Sequence, residues 1–151
     1  MKARIVFFAL FAGVANWVLA ADQSGNANIE IVTAITITED TQIDFGQIIN
    51  ADGTCTMSSG GSLSGTLGMG CTGVETPATF TVLGTSGAVV IINVAGGSTL
   101  DGVTYNPVID GSSARTLSGG SASVDVIGNV VLSGASDGVK DIPYTFTANY
   151  Q

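Results

Sequence analysis

The final eleven residues, DIPYTFTANYQ, constrain the fold more than any other stretch of the chain. Ile142, Tyr144, Phe146, Ala148 and Tyr150 alternate with Pro143, Thr145, Thr147, Asn149 and Gln151. A period of two with one apolar and one polar face is the pattern of a half-buried β-strand. Pro143, which has no N–H to donate, suits the start of a strand or the edge of a sheet. An edge strand leaves a row of backbone groups unpaired and ready to accept another strand. The expectation is a terminal strand that serves assembly rather than catalysis.

The other end reads as an export signal. Lys2 and Arg4 precede an apolar run from Ile5 to about Leu19, and Val18-Leu19-Ala20 presents small or aliphatic residues for cleavage after Ala20 or Ala21. The run is shorter than the ~20 residues of a membrane-spanning helix. Residues 1–20 are therefore expected as a signal peptide, with no stable membrane insertion once it is cleaved, and residues 21–151 as a single domain. With Lys2 and Arg4 gone, the chain's formal charge of −8 becomes −10, and Arg115 and Lys140 are the basic side chains that remain. That acidic excess repels phosphate backbones and sets nucleic acid aside as a partner.

Cys55 and Cys71 are the two cysteines, and an exported chain meets an oxidising compartment, so a disulfide is expected. It would stabilise the fold by roughly 3 kcal/mol in the chain-entropy model. A metal centre is a poor alternative, because the chain has no histidine and no third cysteine.

The body reads as all-β. Four Asp-Gly pairs, at Asp52-Gly53, Asp101-Gly102, Asp110-Gly111 and Asp137-Gly138, are turn candidates, since Asp-Gly tolerates the positive φ of tight hairpins. Between them lie strand-like runs. Ile29, Ile31, Ile35 and Ile37 share one phase, Ile43 and Phe45 point one way, and Phe80 and Val82 alternate with threonines. Ala88 to Val94 is almost continuously apolar, and Val124 to Leu132 carries Gly128 at a bulge or a close backbone approach. About eight short strands with turns between them predict a two-sheet, immunoglobulin-like sandwich.

IVTAITITEDTQIDFGQII near the start of the mature chain, with YTFTANYQ at its end, resembles the bacterial secreted domain-of-unknown-function family numbered four-four-zero-two. The matching positions are Ile31-Val32, Ile35, Ile37, Ile43-Asp44-Phe45-Gly46, Tyr144-Thr145, Thr147 and Asn149-Tyr150. More loosely, the chain is similar to chaperone–usher pilins of the archaic, spore-coat-U-like type. The marks are the penultimate aromatic Tyr150 and Gly138, fourteenth from the end. Pilin cysteines tie the first strand to the second, whereas Cys55 and Cys71 fall later.

The pilin resemblance implies a subunit of a surface filament or coat. Its groove would be covered first by a periplasmic chaperone at an outer-membrane usher, then by the N-terminal arm of another copy. The candidate arm lies within residues 21–38, with Ile29, Ile31, Ile35 and Ile37 entering successive pockets at ~6.6–6.8 Å intervals. The same alternation equally describes a first strand paired in its own sandwich. Gly138, Tyr144, Phe146 and Tyr150 are the corresponding candidates for a C-terminal assembly strand.

Catalysis finds few groups to use. Without histidine there is no Ser-His-Asp or Cys-His arrangement, and Lys140 beside Asp137 and Asp141 reads as a solvated pair. No catalytic, cofactor or metal residues are assigned. The function expected is a non-enzymatic exported structural protein of the periplasm, cell surface or medium. The alternative is a self-contained monomeric binding module, taking carbohydrate at Tyr105, Asn106 and Asp110 or calcium at turns such as Asp101-Gly102.

Overall fold

The computed structural model describes residues 23–66 and 70–151. The expected leader lies outside them, as do residues 67–69 inside the disulfide loop. Among the described residues the strands number eleven rather than about eight: β1 (Thr36–Thr41), β2 (Gly53–Met57), β3 (Ser62–Gly65), β4 (Gly73–Val74), β5 (Ala78–Leu83), β6 (Val89–Ala95), β7 (Thr99–Leu100), β8 (Val103–Ile109), β9 (Ala114–Thr116), β10 (Ser121–Leu132) and β11 (Thr145–Tyr150). Among the described residues the one helical element is a short 3-10 turn, Ser59–Gly61. Residues 23–30 are exposed and hold no strand.

Ile31–Gln151 forms the sandwich. The long strand β10 organises the larger sheet. One flank pairs with β8, while the other pairs first with β5 (Val126 opposite Ala78) and then with β2 (Gly128 opposite Met57). β1 adds antiparallel to the far side of β5 and forms that edge, β3 and β4 extend β2, and β7 pairs β8. The smaller sheet runs β11-β6-β9. All the ladders are antiparallel, so short turns can join neighbours.

Asp101-Gly102 makes the two-residue turn of the β7–β8 hairpin, with φ of +47° and +78°. Asp52-Gly53 instead leads coil into β2, and Asp52 Oδ1 accepts a hydrogen bond from the Gly134 N–H. Gly128 is a close approach, because a Cβ there would run into the Asn106 carbonyl of β8.

The inner faces follow the sequence alternation. Val82 of β5 and Val124 of β10 are buried against Val90, Ile92 and Leu117, while Phe80 of β5 and Val126 of β10 are buried with Ala78 beside Val94 and Phe146. Each such aliphatic side chain contributes roughly 1.5–3 kcal/mol on burial. The smaller sheet covers only this part of the larger one. Over the other part, Val103, Tyr105, Val130 and Leu132 are roofed by coil, through Ile43, Phe45, Ile48 and Ala51 on one side and Ala135, Ile142 and Tyr144 on the other. Cys55 and Cys71 are joined there, buried, with Cα atoms 5.6 Å apart.

Candidate functional site

The two sheets leave one side of the sandwich open. β1 is the edge of the larger sheet and β11 an edge of the smaller one, and they face each other across the gap. Ile35 just before β1 packs in the same cluster as Phe146, Ala148 and Tyr150 of β11. No inward side chain of β11 is fully covered: Tyr144, before the strand, and Phe146, Ala148 and Tyr150 within it are all half-buried.

The backbone at this mouth is as open as the side chains. The Gln151 N–H donates to the Val89 carbonyl, so in this antiparallel register Thr145, Thr147 and Asn149 hydrogen-bond to β6. The N–H and C=O groups of Phe146, Ala148 and Tyr150 therefore point away from β6. Among the described residues no strand pairs with them.

Aromatic rings run along the mouth into the coil-roofed part of the core. Phe80 stacks on Phe146 with centroids 4.3 Å apart and meets Tyr144 edge-on at 6.2 Å. Tyr144 meets Tyr105 edge-on at 5.3 Å, and Tyr105 meets Phe45 at 5.8 Å. Such pairs contribute ~0.5–1.5 kcal/mol each beyond their buried area. Tyr144 also lines a cleft of about 750 Å³ between the 42–50 coil and the 135–142 coil, floored by Val103, Tyr105, Val130 and Leu132.

One polar group at this junction is buried. It is the Tyr144 hydroxyl, and the Glu39 carboxylate is the group placed to accept its proton. Burial, and then the negative charge of Glu39 close by, push the Tyr144 phenol above its ordinary pKa. The Tyr105 phenol is raised by burial and by Tyr144, although its hydroxyl does donate to the Ile127 carbonyl at 2.9 Å.

At the opposite end of β11, Tyr150 ties three segments together. Its hydroxyl accepts from the Thr85 N–H at 2.7 Å and donates to the Thr33 carbonyl at 2.6 Å, while the Thr33 N–H donates to Thr85 Oγ1 at 2.8 Å. Gly84 makes room for this, since a Cβ there would strike the Tyr150 hydroxyl and Leu117.

The strand-exchange candidates part company. The observed strand begins at Thr36 rather than at Ile29, because β5 offers partners only from Leu83 backwards, opposite Thr36. Ile37 pairs opposite Val82, inward-facing yet 39% exposed, and Ile35 is half-buried. Ile29 and Ile31 hold no strand position and are 77% and 92% exposed.

At the C-terminus, Tyr144, Phe146 and Tyr150 share the mouth, whereas Gly138 sits in the coil before β11, exposed, at φ +111°. Tyr105, offered above as a sugar platform, is 3% exposed and cannot stack on a ligand. Lys140 pairs with Asp101 at 3.1 Å, not with its sequence neighbours' carboxylates. Among the described residues no three His, Cys, Asp or Glu side chains gather as a metal site, and no helix is long and apolar enough to cross a membrane.

Sequence reasoning missed the cleft and the Tyr150 tie. Both depend on coil residues whose spacing carries no period: Thr33 and Thr85 at the tie, and the 42–50 and 135–142 segments at the cleft.

Searches against family models, curated proteins and solved structures find no match to this chain.

Proposed function

We propose that this is a non-enzymatic exported structural subunit, pilin-like in its mode of assembly, which polymerises by β-strand addition. The apolar segment around Ile29 and Ile31 of one copy adds to the free edge of β11 in the next. The observation that carries this reading is the mouth itself: three residues of β11 with unpaired backbone groups, above aromatic side chains that the chain's own strands leave half-covered. An exposed alternating segment with no strand of its own supplies the complement. Before addition, the mouth is the surface a periplasmic chaperone would cover, with an outer-membrane usher receiving the subunit.

The test is size-exclusion chromatography with light scattering on the exported chain from residue 21 and on the same chain lacking residues 21–32. The deletion leaves Thr33, Ile35 and β1 in place. The full mature chain should form multimers and the deletion should be monomeric. A full chain that stays monomeric at every concentration, or a deletion that multimerises equally, overturns the proposal. The cleft of about 750 Å³ favours a second reading, a monomeric binding module, and a monomeric full chain is the result that reading requires.

A further inference from the structure

The cleft between the 42–50 and 135–142 coils has a volume of about 750 Å³, inside the ~300–1,000 Å³ range of small-molecule sites. Its floor is apolar, because Val103, Tyr105, Val130 and Leu132 are buried core residues. Phe45 and Tyr144 join the lining, and each meets Tyr105 edge-on, with centroids 5.8 Å and 5.3 Å away. One part of the cleft is therefore aromatic. The Tyr105 hydroxyl donates to the Ile127 carbonyl and the Tyr144 proton goes to Glu39, so neither phenol is left to donate to a ligand. What the rings still offer is the negative potential of their faces, which attracts cations.

The charges around the cleft have the same sign preference. Asp44, Asp137 and Asp141 line it, and Lys140 is the one cation among the lining residues. That ammonium is already engaged, with Asp101 at 3.1 Å, Ser136 Oγ at 2.9 Å and the Asp137 carbonyl at 3.4 Å. Its carboxylate partner, Asp101, is not part of the lining, so the cleft's own carboxylates stay uncompensated among the described residues. Asp44 Oδ1 accepts from the Gly46 N–H at 2.7 Å, and Asp137 Oδ1 from the Asn50 amide at 2.8 Å, which leaves one oxygen free on each. The Asp141 side chain makes no hydrogen bond or ion pair among the described residues. An anion entering here would meet repulsion with no free donor side chain of opposite charge. A cation meets attraction from carboxylates and ring faces together.

We propose that the cleft binds a small organic cation carrying an alkyl chain. Its alkylated ammonium head sits at Phe45 and Tyr144, and its chain lies over Val103, Val130 and Leu132. An ammonium whose hydrogens are replaced by methyl groups needs no hydrogen-bond acceptor and sheds its hydration cheaply, which suits a site made of ring faces with carboxylates nearby. The assignment stands apart from strand addition, since every residue of the cleft comes from one chain.

Isothermal titration of the exported chain from residue 21 with decyltrimethylammonium, kept below its micelle concentration, should show saturable one-to-one binding. Tyr105 and Tyr144 line the cleft and Trp17 is lost with the leader, so tyrosine emission should change with the same midpoint. Decanoate, with an equal chain and the opposite charge, should bind at least about tenfold more weakly. Asp44→Asn with Asp141→Asn should weaken decyltrimethylammonium about tenfold, whereas Asp40→Asn with Asp125→Asn, which removes the same charge outside the cleft, should leave it unchanged. Phe45→Leu should weaken the cation about fivefold and leave binding of neutral decanol as it was. No saturable binding, or equal binding of decanoate, overturns the proposal. So does an equal loss in the two aspartate pairs, which would assign the binding to overall acidity, or tyrosine emission that stays constant at saturation. Loss of decanol binding in step with the cation in Phe45→Leu overturns the placement of the head at the rings.

Discussion

Replacing Tyr150 with phenylalanine removes one oxygen and isolates the knot at the end of β11. That hydroxyl accepts from the part-buried Thr85 N–H and donates to the Thr33 carbonyl. A net hydrogen bond contributes ~1 kcal/mol, and a buried N–H left unpaired costs ~1–3 kcal/mol. The Thr33 carbonyl is exposed and regains water, so most of the loss falls on Thr85. Tyr150→Phe should therefore destabilise the domain by roughly 1–3 kcal/mol, with the ring's packing beside Gly84 and Leu117 kept. In a domain of this size each kcal/mol moves the melting temperature by about 3–5 °C. Urea unfolding of the purified mature domain reads it as a shifted midpoint with unchanged slope. A change below about 0.5 kcal/mol, the range of an ordinary surface substitution, would refute the reasoning. The variant also separates folding from assembly: if multimerisation falls only as far as stability does, Tyr150 is a structural residue of the knot and no more.

The other predictions are simpler. Gly128→Ala drives a Cβ into the Asn106 carbonyl, so it should part β8 from β10 and abolish accumulation of soluble exported protein; normal yield would show that the two strands can separate freely. Replacing Cys55 and Cys71 by serine should lower stability by roughly 3 kcal/mol in denaturant titrations, matching the effect of a reducing agent on the parent. Tyr105 and Tyr144 have raised pKa values, so the unfolded chain loses those protons first as pH climbs. Their contribution is intact below the ordinary phenol value of about 10 and falls above it, which stability measured from pH 8 to 11 should show as a decline beginning near pH 10. Flat stability through that range would contradict the burial of these rings. Phe146→Asp puts a charge against the Phe80 ring and should cost several kcal/mol, read as loss of the cooperative transition.

The sequence by itself determined those features whose cause lies within a few neighbouring residues. The all-β character, the alternation of Phe80 and Val82, the Asp101-Gly102 hairpin and the paired cysteines are set by local backbone preference, side-chain period and redox chemistry. The C-terminal alternation also predicted which residues of β11 face inwards, since a strand's two faces are fixed whatever it pairs with.

Tertiary structure decided everything that depends on what lies opposite. The run from Ile29 to Ile37 has one period throughout, yet β5 supplies partners only from Thr36 onwards, so a uniform pattern divides into an unpaired segment and an edge strand. Glu39 reads as a surface acid in a turn-flanking cluster, and only its register opposite Phe80 turns it towards the mouth. Tyr105 resembles an exposed aromatic until coil from two distant segments roofs it. Burial and pairing are properties of non-local neighbours, and periodicity says which side chains share a face without saying what covers that face.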